Sequence, residues 1–127
     1  MKYYTDREEN VRIEDGKLVL KAQRETFEHR SYTSGRVTSN YAFRYGRVDV
    51  VAKTPAGRGL WPAIWFLPKE NVYGTWPGSG EIDLFEGRGQ NPNELQNTIH
   101  FGDFPCCDGH NYVHGPTITT NCDHTSG

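Results

Sequence analysis

The segment Gly80-Glu81-Ile82-Asp83-Leu84-Phe85-Glu86 sets three carboxylates among apolar side chains. On a regular strand residues i and i+2 share a face, so Glu81 and Asp83 point the same way and Glu86 is one residue out of phase. A single β-bulge at Leu84-Phe85 absorbs the extra residue and returns Glu86 to the same face. Ile82 and one of the bulged apolar residues are then expected to anchor the strand in the core. Three acids on one face repel one another, which strand stability alone does not favour. Their chemical use is acid–base work. Cleavage of a glycosidic bond with retention needs a nucleophilic carboxylate and a carboxylic acid about 5–5.5 Å apart. Two Glu side chains leaning inward from positions about 13 Å apart, four pleats of about 3.3 Å, can close to that separation. Asp83 between them shares a proton or hydrogen bond with a neighbour and helps to separate the two pKa values. Two other readings stay open on these residues alone. One is a calcium site, although such sites usually sit in flexible loops with carbonyl ligands. The other is a solvated acidic face.

Aromatic residues crowd the same part of the chain. Leu60-Trp61-Pro62-Ala63-Ile64-Trp65-Phe66-Leu67-Pro68 holds two of the three tryptophans, and Trp76 lies five residues before Glu81. Sugars stack their C–H faces on indole rings and need polar partners at the rim. Trp61 and Trp65, four apart, fall on one face of an ideal strand. At least one tryptophan is expected to support the core and at least one to line a cleft. His100, in Thr98-Ile99-His100-Phe101-Gly102, sits on a strand from which it could orient a carboxylate, or it is a satisfied structural histidine.

The elements that must position these groups read as strands. The chain has 127 residues, 14 Lys and Arg against 16 Asp and Glu, 14 Gly, seven Pro and one Met. That length suits one domain. The net charge of -2 supplies no basic field for nucleic acid, and no apolar run is long enough to span a membrane. Val11-Arg12-Ile13, the turn Glu14-Asp15-Gly16 and the alternating Lys17 to Arg24 predict a β-hairpin. Further strands are expected over Arg36–Ser39, Arg47–Ala52, Leu60–Leu67, Glu81–Glu86 and Thr98–Phe101. Short strands with turn signals between them predict an all-β sandwich or barrel.

Cys106, Cys107 and Cys122 are too few for a disulfide scaffold. They read as one loop disulfide with a free thiol or as three thiols. A zinc site drawing on His100, His110 and His114 is the weaker alternative, because no paired ligand spacing supports it. Met1 to Asp6 shows no secretory h-region.

Glu81-Ile82-Asp83-Leu84-Phe85-Glu86 resembles the bulged E-x-D-x-x-E signature of glycoside hydrolase family 16, and Gly59 to Pro68 resembles its G-L-W-P-A-x-W motif. Tyr3-Tyr4-Thr5, Tyr32-Thr33-Ser34-Gly35-Arg36 and Tyr45-Gly46-Arg47 are similar to positions in its laminarinase-like members, and the likeness runs from about residue 3 to residue 102. The resemblance implies a concanavalin A-like β-jelly roll of two antiparallel sheets with a glycan cleft on the concave face. It implies retaining endo-hydrolysis of β-1,3-glucan, with Glu81 the nucleophile, Glu86 the general acid/base and Asp83 the assisting acid. Trp61, Trp65, Trp76 and His100 match cleft positions of the family, and Asn40 and Arg47 are further candidates. The extra residue before Glu86 distinguishes the sequence from the unbulged lichenases. Agarases and carrageenases share the bulge, whereas Trp76-Pro77 and the intact Leu60-Trp61-Pro62 lean toward laminarinase. The family domain is longer than this chain, so residues 1–127 are expected to form a partial domain, a fragment of a larger product or a poorly active one. A secreted monomer acting on polysaccharide is expected, without cofactor. A structural calcium of the family would take ligands not identifiable here. The competing possibility is a β-glucan-binding protein on the same fold, although such proteins lack the catalytic glutamates that are present here.

Overall fold

The computed structural model describes residues 1–102 and 110–119, and for residues 110–112 the backbone alone. Cys106, Cys107 and Cys122 lie outside the described residues, so neither the disulfide nor the zinc expectation meets a structural observation. The described elements are all strands: β1 (Tyr3–Tyr4), β2 (Val11–Glu14), β3 (Lys17–Leu20), β4 (Thr33–Ser34), β5 (Ala63–Phe66), β6 (Glu81–Arg88), β7 (Asn91–Gly102), β8 (His110–His114) and β9 (Ile118–Thr119). The chain divides into two compact units, Met1–Gly46 and Arg47–Gly127.

In the first unit β2 and β3 form the expected antiparallel hairpin, with Val11 opposite Leu20 and Glu14 opposite Lys17. Asp15 and Gly16 both take positive φ, 49° and 72°, which is the backbone a two-residue turn with right-handed strand twist requires. β1 and β4 pair in parallel through Tyr3–Thr33 and Tyr4–Ser34. The strand expected at Arg36–Ser39 is replaced by this shorter ladder just upstream. It forms there because Thr33 also exchanges backbone hydrogen bonds with Gln23 at 2.9 and 3.0 Å. The interior of this unit is polar. Asn10 and Thr33 are fully buried, and Asn10 donates to Lys21 O at 2.9 Å and Thr33 Oγ1 at 3.0 Å. Arg7 and Thr33 both hydrogen-bond Glu25, whose carboxyl is held below the usual range by the Thr33 hydroxyl first and by Arg7 second.

The second unit is an antiparallel sheet in the order β5-β6-β7-β8, with β9 paired to β7. The segment 47–52 alternates as a strand should, yet it joins no ladder among the described residues, and Val48, Val50 and Val51 are exposed. Alternation encodes which side chains share a face. It does not supply the neighbour that a strand needs to hold its backbone groups. The expected anchoring role of Ile82 also fails. Ile82 is 53% exposed, and Leu84, Ile99, Phe101 and Val113 on the same side of the sheet are exposed with it. A sheet buries a side only where a second layer covers it. Among the described residues Pro77 is the one apolar side chain that is fully buried, and Asp83, at 5% exposure, is better covered than the apolar residues beside it.

Candidate active site

The bulge forms where the sequence places it. On the β5 side Ile64 faces Phe85 and Trp65 faces Asp83, so Leu84 is skipped. On the β7 side Asp83 faces Thr98 and Glu86 faces Gln96, leaving Leu84 and Phe85 opposite Asn97 alone. The Asn97 amide donates to the Leu84 carbonyl and so satisfies a group the ladder has displaced. Glu81, Asp83 and Glu86 therefore lie on one face. Glu81 is opposite His100 and Glu86 opposite Gln96, four β7 residues away, or about 13 Å along the strand.

Around these acids lies a cleft of about 460 Å³, lined by Trp61, Trp76, Glu81, Asp83, Glu86 and His100 and, beyond them, by Arg88, Glu94, Gln96, His114 and Thr117. Trp76 is delivered by a tight loop. Gly78 N–H donates to Thr75 O at 2.7 Å, Gly80 N–H to Pro77 O at 2.8 Å, and the Trp76–Pro77 peptide is cis. From there the indole N–H reaches Glu81 Oε2 at 2.5 Å, and the ring lies 5.7 Å from the His100 ring. His100 Nε2 is 3.0 Å from Asp83 Oδ2, and Thr98 Oγ1 donates to Glu86 Oε2 at 2.8 Å. Each carboxylate thus has its own side-chain partner.

Burial is the largest influence on Asp83 and raises its pKa, the negative charges of Glu81 and Glu86 raise it further, and His100 opposes them. An acid whose pKa is raised on folding favours the fold while protonated and loses that contribution as pH rises through its folded value. Asp83→Asn is therefore expected to melt at a higher temperature than the parent at pH 7, with the gain disappearing toward pH 4. Thermal melts at the two pH values check this, and an equal gain at both would contradict it.

The segment that bears Trp61 is tied by backbone to the end of β6, just past Glu86. Gly87 N–H donates to Pro62 O at 2.9 Å, Gly89 N–H to Leu60 O at 2.9 Å, and Gly57 N–H to Gly89 O at 2.8 Å. A Cβ at Gly89 would stand 2.1 Å from Gly57 O. Gly89→Ala is expected to cost about 1–3 kcal/mol through forced backbone movement, read as a lower midpoint in urea.

Of the residues proposed from sequence, the structure gathers Glu81, Asp83, Glu86, Trp61, Trp76 and His100 in the cleft. Trp65 is half-buried opposite Asp83 and is not among the lining residues. Arg47 is exposed and paired with Asp49 at 2.9 Å, outside the lining, and Asn40 is an exposed residue of the first unit. Thr98, Gln96 and His114 were not singled out for the cleft. The signal for the first two was available, since they sit two and four residues before His100 and share its face. His114 is brought across by β8, and nothing in the local pattern fixes that pairing.

Residues 2–114 match the family described as glycosyl hydrolases family 16, and the chain belongs to that family. It is 38% identical to the laminarinase of Rhodothermus marinus, with a TM-score of 0.85, over 98% of this chain and 51% of that one. The fold is accordingly of the all-β jelly-roll class. The chain is also 44% identical over 111 residues to glucan endo-1,3-beta-glucosidase A1 of Niallia circulans, covering 80% of this chain and 16% of that protein. To a beta-1,3-glucan-binding protein of Penaeus monodon it is 53% identical over 75 residues, covering 54% of this chain and 20% of that protein. The chain thus spans about half the length of the solved laminarinase and a smaller share of these two relatives.

Proposed function

We propose that this chain carries the catalytic strand of a retaining endo-β-1,3-glucanase. The observation that carries the reading is the bulge at Leu84, which sets Glu81, Asp83 and Glu86 on one cleft face, each with a separate hydrogen-bond partner. Glu81 is the nucleophile, held in place by the Trp76 N–H, which fixes the oxygen it bonds. Glu86 protonates the departing glycosidic oxygen and then takes a proton from the incoming water. Asp83 lies between them. As Glu81 loses its charge to the glycosyl ester, the repulsion raising the Asp83 pKa is relieved, so Asp83 can ionise and stabilise the reacting centre. Trp61 and Trp76 offer indole surface to sugar rings.

Reducing-sugar release from laminarin by the 127-residue chain, with agar and carrageenan alongside, tests substrate and reaction together. Preference for agar or carrageenan would replace the substrate class. The second reading is a non-catalytic β-glucan-binding protein, favoured by the likeness to the Penaeus monodon protein. Laminarin binding without any hydrolysis would support it. Asp83, Glu86 and His100 bring their oxygens and ring nitrogen within 4.8 Å of one another, close enough to share a proton or a cation. The acid–base reading expects hydrolysis unchanged by EDTA, and a loss restored by added metal would contradict it.

A further inference from the structure

Behind Glu86 stands a line of two further side chains. Thr98 Oγ1 is 2.8 Å from Glu86 Oε2 and 2.9 Å from His114 Nδ1. The register sets Thr98 on β7 directly opposite His114 on β8, and Thr98 is 1% exposed. A threonine hydroxyl has one hydrogen to give and lone pairs to receive. Given to the ionised Glu86, that hydrogen leaves a lone pair facing His114, so Nδ1 must bring the proton of that contact. The imidazole is thereby held as its Nδ1–H form.

We propose that Thr98 and His114 are positioning residues that direct the catalytic proton of Glu86 onto Oε1. The inference rests on Glu86 being the acid/base. With Oε2 committed as acceptor from Thr98, a proton arriving at the carboxyl has Oε1 as its open position. Placing it on Oε2 would turn the oxygen that accepts from Thr98 into a poorer, neutral hydroxyl acceptor and weaken that bond, or would turn the Thr98 hydrogen toward His114 at the cost of the Nδ1 proton, so Oε1 is the favoured site. The line therefore ties three choices together: the tautomer of His114, the direction of the Thr98 hydroxyl and the oxygen of Glu86 that carries acid. Other titratable or charged groups that line this cleft are Glu81, Asp83 and Arg88 from β6 and Glu94 and His100 from β7, while β5 sets uncharged Ala63 opposite Glu86. None of these is linked to Glu86 through Thr98, so a change at Thr98 isolates the His114 line.

The first test needs no turnover. Nitrogen-15 NMR of the full chain is expected to show His114 as the Nδ1–H tautomer, and Glu86→Ala, which frees the Thr98 hydrogen to turn, is expected to shift it toward Nε2–H. An Nε2–H tautomer in the parent, or one indifferent to Glu86→Ala, overturns the proposal. The second test is kinetic. Thr98→Val is expected to slow laminarin hydrolysis at least about tenfold while sparing an aryl β-glucoside whose leaving group needs no acid, and Thr98→Ser is expected to restore the loss. If Thr98→Val fails to fold, the exposed His114→Ala takes its place with a smaller loss in the same pattern. Equal loss on both substrates means a merely structural role and overturns the proposal. Absence of hydrolysis in the parent would sink the glucanase reading and leave the NMR result to decide the hydrogen-bond line.

Discussion

Glu81→Gln is expected to lower laminarin hydrolysis by about 10⁴-fold or more, the scale seen when a covalent nucleophile is removed, while laminarin binding persists. The substitution keeps the size and shape of the side chain. Its amide oxygen can still accept the Trp76 N–H that reaches Glu81 at 2.5 Å, so the loop that carries Trp76 is expected to stay in place. What disappears is the negative oxygen that would form the glycosyl ester. Reducing-sugar assays paired with affinity electrophoresis in laminarin gels separate the two effects. Turnover within tenfold of the parent would remove Glu81 from the nucleophile role, and a matching loss of binding would mean that the cleft had changed shape.

Glu86→Ala is expected to lower laminarin turnover by about 10²–10⁴-fold, the usual worth of a positioned acid or base. The pattern of the loss is more diagnostic than its size. An aryl β-glucoside with a good leaving group needs no proton, so its first step is expected to survive and the glycosyl ester to accumulate. Azide should then rescue the second step, because an anion needs no base to activate it, and the space vacated by the side chain admits it. The product is expected to be the β-glycosyl azide, identified by proton NMR. An α-azide would show a single displacement and contradict retention.

The acid strand was legible because two independent counts agreed. The alternation of Ile82 and Leu84 with Glu81 and Asp83 named the face, and the one-residue excess before Glu86 named the bulge, which the registers with β5 and β7 then located at Leu84. The hairpin was legible for a similar reason, since Asp15-Gly16 provides the two positive φ values that its turn needs. The segment 47–52 was misread because its valines report a face and not a partner. Ile82 was misread because burial belongs to a pair of layers, and a strand sequence describes only one. The polar interior around Asn10, Thr33 and Glu25 was missed outright, because those residues are scattered through the chain and none alone looks like a core position.

The bulge has a consequence for how this strand tolerates change. Distance between the outer acids is measured out by β7, whose rungs at His100 and Gln96 act as the marks of a ruler, and not by the number of residues between Glu81 and Glu86. Leu84 is slack in that measurement. Removing it would leave both glutamates at the same marks and on the same face, and would strand the Asn97 amide that now holds the Leu84 carbonyl. Lengthening the strand by one at this point is therefore nearly free for the chemistry, whereas the same insertion in β7 would move one glutamate a full mark from the other. Variation in length is admissible on the strand that bears the acids and costly on the neighbour that gauges them.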